Sequence, residues 1–245
     1  MNPRALLLDL DDTILDDSSL VHESWRDACA QQADRLAPLD GAIVVDAIRK
    51  TSKWFWADAD RHREGRLQLE AARREVVRLA LLDLGIEDAD LAACIGDAYS
   101  HRRDVGMEPL PDAIETVRWL RDSGRRLALL TNGAAVAQRR KITRFELADL
   151  FDAILVEGEL GFGKPDARVY TRALSALDVT PSEAWMVGDN LEWDVAAPQK
   201  LGMTGIWIDT RGRGLPDETS VRPDHIVRSL AELRRLIQVL GGALR

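Results

Sequence analysis

Short apolar runs alternate with helix-period stripes along most of this chain. The runs Ala5–Asp9, Leu127–Thr131, Ala153–Val156, Ala184–Val187 and Thr204–Ile208, and a last short one at His225–Val227, have the length of buried strands. The stretches between them carry helix signals. Asp112 stands at an N-cap position with Glu115 three residues on, which predicts a capping box; Ile114, Val117 and Leu120 keep helical spacing until Gly124. Asp166 opens another helix, with Val169, Tyr170, Ala173, Leu174 and Leu177 on one face. Thr180-Pro181-Ser182-Glu183 predicts a single capped turn. The alternation predicts an α/β fold, a doubly wound parallel sheet with helices on both faces.

One stretch breaks the rhythm. From Asp17 to Val105 the pattern is helical throughout, with four apolar stripes: Leu20, Val21, Trp25, Ala28 and Cys29; Ile43, Val44, Ala47 and Ile48; Ala72, Val76, Leu79 and Ala80; Leu91, Ile95, Ala98 and Tyr99. An all-helical block inserted after the first strand predicts a separate cap. The expected division is residues 1–16 with 106–245 as the α/β core and 17–105 as the cap.

Composition narrows the partners. The 245 residues hold 33 basic and 41 acidic side chains, a net charge of -8, which argues against nucleic acid but leaves room for a small anion at a local positive cluster. No apolar run approaches the roughly 18 residues of a membrane span, and the apolar start stops at Asp9 without the form of a secretory leader. Cys29 and Cys94 lie in helical stripes without ligand-spaced partners and are expected to be buried, reduced thiols. A cytoplasmic protein, monomer or homodimer, is the expectation.

The chemistry concentrates at strand ends, where ligands bind in open α/β sheets. Asp9-Leu10-Asp11-Asp12-Thr13 follows the first run; three carboxylates so close need a cation or a proton, and oxygen ligands of this kind suit Mg²⁺. Thr131-Asn132-Gly133 ends the second strand with groups able to donate to phosphate oxygens. Lys164 follows the third strand, in Gly161-Phe162-Gly163-Lys164-Pro165-Asp166. Gly188-Asp189-Asn190 ends the fourth, with Asp194 five residues past Asp189. Taken singly, each piece has an ordinary structural reading: an acidic turn, a strand end, a surface lysine, an N-cap.

In this order, the four pieces resemble the four motifs of the haloacid dehalogenase-like hydrolase superfamily, with the helical block where subfamily I members carry a helical cap. The resemblance runs from Asp9 to Asp194. It implies a Rossmann-like core and a Mg²⁺-dependent phosphohydrolase acting on a small phosphorylated metabolite. It implies Asp9 as the nucleophile that forms an aspartyl phosphate and Asp11 as general acid and base. Thr131, Asn132 and Lys164 would bind phosphate. Asp9, the Asp11 backbone carbonyl and Asp189 would hold the metal, with Thr13 and Asp194 in support. The charge argument agrees: a carboxylate attacking a phosphate dianion needs cationic compensation.

Several rivals can be weighed. Gly158 to Lys164 fits seven positions of a nucleotide-binding P-loop, but Pro165 stands where Ser or Thr must hold the metal. Members that cleave carbon–halogen bonds share the nucleophile but not an acid two residues on, so Asp11 and Asp189 favour phosphoryl transfer. A phosphomutase shares the chemistry and stays open as an alternative. A non-catalytic binding module would need no nucleophile–acid pair. Within the cap, Trp54-Phe55-Trp56 and the charges through Arg61, His62, Arg63 and Arg66 read either as a helix end with Trp54 and Phe55 in the core, or as a specificity segment in which Trp54, Trp56, Arg61 and His62 meet the leaving group. His22, His101 and His225 receive no role.

Overall fold

The structure, a computed structural model, describes residues 2–242. The strands are β1 (Ala5–Leu8), β2 (Leu15–Asp16), β3 (Glu108–Pro109), β4 (Arg126–Thr131), β5 (Ala153–Val156), β6 (Ala184–Gly188), β7 (Thr204–Ile208) and β8 (His225–Val227). Six of them form one parallel sheet in the order β5-β4-β1-β6-β7-β8. The four residues of β1 are fully buried, which is why this strand reads as an unbroken apolar run rather than an alternation. After β1 the chain builds outward through β4 and β5, then returns to the other side of β1 with β6. The carboxyl end of β1 is therefore a switch point, the place where such sheets open a crevice.

Two compact units divide the chain: one runs to Asp16 and resumes at Glu108, the other is Asp17–Met107. The expected second boundary, after residue 105, lies two residues earlier than the observed one. The second unit contains α1 (Val21–Ala30), α2 (Ala33–Leu36), α3 (Gly41–Ala57), α4 (Ala59–Leu67), α5 (Leu69–Asp83) and α6 (Ala89–Gly106). Its core gathers Trp25, Cys29, Val44, Ile48, Phe55, Val76, Val77, Leu81, Leu91, Ile95 and Tyr99, and Trp25 stacks on Tyr99 with ring centroids 3.5 Å apart. Asp40, Asp58 and Asp88 cap α3, α4 and α6 by accepting backbone N–H groups, the usual work of Asp at helix starts.

The first unit carries α7 (Ala113–Asp122), α8 (Ala135–Arg144), α9 (Glu157–Leu160), α10 (Ala167–Leu177), α11 (Ala197–Gln199) and α12 (Leu230–Gly242). The apolar face of α10, through Val169, Tyr170, Ala173, Leu174 and Leu177, packs on Ala5, Leu7, Ala128, Leu130 and Met186 of the sheet.

Three expectations are corrected. Asp112 sits in the left-handed region at φ 58° and makes no side-chain cap bond, so the capping box with Glu115 does not form. Cys94 is half-buried beside Asp90 and Arg35; only Cys29 lies in the core. Trp54 is 54% exposed, so only Phe55 of that pair enters the cap core. The two-residue strands β2 and β3, which pair antiparallel where the chain leaves and rejoins the core, are an addition.

Candidate active site

The site is built at the carboxyl ends of β1, β4 and β6. The Asp9 N–H donates to Val187 O at 3.0 Å, extending the β1–β6 ladder by one residue and pointing the carboxylate out of the strand end. Beyond it the chain folds back sharply. The N–H groups of Ile14 and Leu15 both donate to Leu10 O, and Asp12 takes a left-handed φ of 57° in the turn. Asp tolerates that conformation better than most residues. The turn brings the Thr13 hydroxyl to Asp9 Oδ2 at 3.2 Å.

Lys164 is the hub. Its ammonium is 2% exposed and lies 2.6 Å from Asp9 Oδ1 and 2.7 Å from Asp194 Oδ1. An ammonium has three donors, so one is left to reach a ligand. Burial by itself pulls the Lys164 ammonium down, but the charges of Asp194 and Asp9 and their hydrogen bonds outweigh it and hold the group above an ordinary lysine. Asn132 places this residue. Its Oδ1 accepts from Lys164 N at 2.8 Å and its Nδ2 donates to Lys164 O at 2.6 Å. The Asn132 amide thus faces the Lys164 backbone. Gly163 makes room for it: a Cβ there would lie 2.4 Å from Asn132 Oδ1.

Asp194 is fully buried and comes from a wide helical turn, Leu191–Ala196, opened by Asn190, whose Oδ1 accepts from Glu192 N and Trp193 N. Asp194 Oδ2 accepts from Asn190 N at 3.0 Å, leaving Oδ1 for Lys164. Gly188 completes the fit, since a Cβ on it would sit 2.3 Å from the Asp194 carboxylate. The Trp207 indole donates to Asp189 O at 2.7 Å and fixes the backbone from which the Asp189 carboxylate projects.

One oxygen from each of Asp9, Asp189 and Asp194 lies within 4.8 Å of the others. Burial pushes the Asp9 carboxyl up to about 7; Lys164 opposes this, and Asp194 and Asp11 add to it. Burial, with the charges of Asp9 and Asp194, pushes Asp189 up to about 8. Ionised together, Asp9, Asp189 and Asp194 would carry more negative charge than Lys164 balances, and an all-oxygen donor set of this kind fits Mg²⁺.

Thr131, buried at the end of β4, accepts from Gln138 Nε2 at 2.6 Å, which leaves its own O–H proton to donate. Asp11 is half-buried, held by Gln138 and Lys141 of α8. Neither α8 residue was assigned a role from the sequence. Their three-residue spacing on the helix that follows Thr131-Asn132-Gly133 was the available signal. The Arg61 guanidinium lies 3.9 Å over the Trp54 ring and donates to Trp54 O and Phe55 O. Trp56 meets Phe55 and His62 edge-on at 5.0 and 5.6 Å.

A family profile described as haloacid dehalogenase-like hydrolase matches residues 3–202. The chain belongs to the haloacid dehalogenase-like hydrolases. Among its relatives, a phosphoserine phosphatase of Thermus thermophilus is 34% identical, over 94% of this chain and 97% of that one. A glyceraldehyde 3-phosphate phosphatase of Pyrococcus furiosus is 26% identical, over 98% and 95%. The crystal structure of a 2-haloacid dehalogenase from Pseudomonas syringae superposes with TM-score 0.62 at 28% identity, over 96% of this hydrolase and 98% of that chain. The parallel core with an inserted helical cap is the architecture of subfamily I. No helix among the described residues of this hydrolase is long and apolar enough to cross a membrane.

Proposed function

We propose that Asp9 is the attacking group of this hydrolase, a magnesium-dependent phosphohydrolase of small phosphorylated substrates. The observation that carries the reading is the Lys164 ammonium bridging Asp9 and Asp194. Asp9 Oδ attacks phosphorus, and the bond to the leaving oxygen breaks. Asp11 gives that oxygen its proton. Asp11, now a carboxylate, takes a proton from water, whose oxygen attacks the aspartyl phosphate and returns Asp9 with inorganic phosphate. Thr131 and Lys164 donate to the phosphate oxygens; Asn132 serves by holding Lys164, and Thr13 by donating to Asp9. Asp9, Asp189 and the Asp11 carbonyl would hold Mg²⁺, with Asp194 supporting through Lys164. Bound there, the ion supplies positive charge against the phosphate and the attacking carboxylate.

The substrate class is a phosphomonoester of a small metabolite. Phosphoserine and glyceraldehyde 3-phosphate are the first to test, from the names of the relatives. The cap segment from Trp54 through Trp56 and Arg61 to His62 contributes to choosing the leaving group. Cytoplasmic residence suits the free thiols Cys29 and Cys94. Dehalogenation is the reading to exclude, given the similarity to dehalogenases. It needs neither a leaving-group acid nor metal-holding carboxylates, so Asp11 and Asp189 speak against it.

The deciding experiment compares wild type with Asp9→Asn. Wild type is expected to release phosphate from p-nitrophenyl phosphate with Mg²⁺, and no halide from 2-chloropropionate. Asp9→Asn is expected to keep its circular dichroism spectrum and lose turnover. Ordinary phosphatase activity in a clean preparation of that variant would remove Asp9 from its role.

A further inference from the structure

Asp11 must hand over a proton and later collect one, so its carboxylate has to stay aimed through both steps. It sits in the turn after β1, outside any regular element, and its own backbone cannot fix the side chain. Two side chains of α8 reach it. Gln138 Nε2 lies 2.9 Å from Asp11 Oδ2, and Lys141 Nζ lies 2.7 Å from Oδ1. Gln138 and Lys141 are three residues apart and share a helix face. Gln138 is 3% exposed, and the same amide nitrogen lies 2.6 Å from Thr131 Oγ1 and 2.7 Å from Asn132 O. One buried amide therefore joins the Asp11 carboxylate to the strand end that carries Thr131.

We propose that Gln138 and Lys141 are positioning residues for Asp11, gripping both carboxylate oxygens from one face of α8 and setting the acid–base group against the phosphate-binding end of β4. The proposal rests on the acid–base role given to Asp11 above. A bland alternative is that the Lys141–Asp11 pair merely ties α8 to the sheet. The two readings differ in which chemical step suffers, because a tie spreads its effect over every step.

The probe is p-nitrophenyl phosphate with Mg²⁺, followed before and during steady state. Release of p-nitrophenolate in the first turnover needs no proton from Asp11, since the leaving group is already stable as an anion. Breakdown of the aspartyl phosphate does need Asp11 as base. Lys141→Met is expected to leave the first-turnover burst within about twofold, lower steady-state kcat by about tenfold or more, and lower KM in proportion, so that kcat/KM, which reports the first step, is nearly unchanged. Lys141→Arg is expected to restore most of the loss. Both replacements are good helix formers, so α8 is expected to survive, with circular dichroism as the check. Gln138→Leu is expected to slow the same step and also lower kcat/KM, because Gln138 holds Thr131.

In an Asp11→Asn background, Lys141→Met is expected to cost nothing further, since the group it positions is gone. Equal losses in burst and steady state, an unchanged steady state, or full additivity with Asp11→Asn would each overturn the proposal. If Asp11→Asn itself keeps a normal second step, the acid–base assignment fails. If Asp11→Asn stalls that step and Lys141→Met does not, the grip alone fails.

Discussion

At the scale of single residues, the site depends on close contacts that leave no slack. Gly188 is the clearest case. An added Cβ would meet the Asp194 carboxylate at 2.3 Å, and neither a strand backbone nor a fully buried acid can step aside. Gly188→Ala is therefore expected to disturb Lys164 through Asp194 and to lower both kcat and stability, the latter by about 1–3 kcal/mol as for other overpacked cores. Activity and urea midpoints measured on the same preparation check both. Lys164→Met removes the hub itself. It leaves Asp194 buried without a counterion, a situation that costs about 3–5 kcal/mol when one partner of a buried pair is deleted. It is also expected to damage every phosphate substrate alike, because all share the group that Lys164 is proposed to bind. A variant active on even one phosphomonoester at the wild-type rate would contradict that.

At the scale of elements, the junction of α3 and α4 is where a structural role meets the selective role proposed for it. Phe55 is buried in the cap core, whereas Trp54 lies outside under the Arg61 guanidinium, which also accepts the role of closing the end of α3 by donating to Trp54 O and Phe55 O. Phe55→Ala is expected to cost about 3–5 kcal/mol, the usual range for a large buried aromatic, and Trp54→Ala far less. Arg61→Ala and Trp56→Ala are expected to reorder preferences among natural phosphomonoesters while sparing p-nitrophenyl phosphate. A kcat/KM panel that keeps its order in both variants would make the segment purely structural. Legibility in the sequence follows the same physics. The inner strands of the sheet announced themselves because both faces are buried and the runs are uninterrupted, whereas the edge strand β8, with Ile226 exposed, offers only a short apolar run. The two-residue strands β2 and β3 are too short to carry a period. Asp112 looked like a cap, but its left-handed backbone turns the side chain away from the N–H groups it would serve. Asp9, Lys164 and Asp194 could be named from motif order, yet Gln138 and Lys141 could not. An amide and an ammonium on a polar helix face look like solvated surface until the fold puts an acid opposite them.

For the molecule as a whole, proton and metal compete for the same acids. Without metal, burial holds the Asp9 and Asp189 carboxyls protonated up to about 7 and about 8, against an ordinary value of 3.8. The folded state then binds more protons than the unfolded chain between those limits. Their contribution to stability is complete at acid pH and is lost as pH rises through the folded values. In EDTA, these two carboxyls are expected to lower the melting temperature steadily from about pH 4 to about pH 8, and Mg²⁺ is expected to raise it more at the alkaline end. A magnesium stabilisation that does not grow with pH would show that these carboxyls do not hold the ion. The paired strands β2 and β3 bear on the protein's history. Where the chain departs after Asp16 it is already hydrogen-bonded to the place it returns, Glu108 and Pro109. Any insert at that point begins and ends a hairpin's width apart, so its length costs the sheet little in closure entropy. A lineage can lengthen, shorten or exchange the whole intervening segment while the aspartates stay where they are. With the leaving group chosen by the cap, as proposed, taste for a new metabolite would be inherited as a cassette, separately from the means of breaking its phosphate bond.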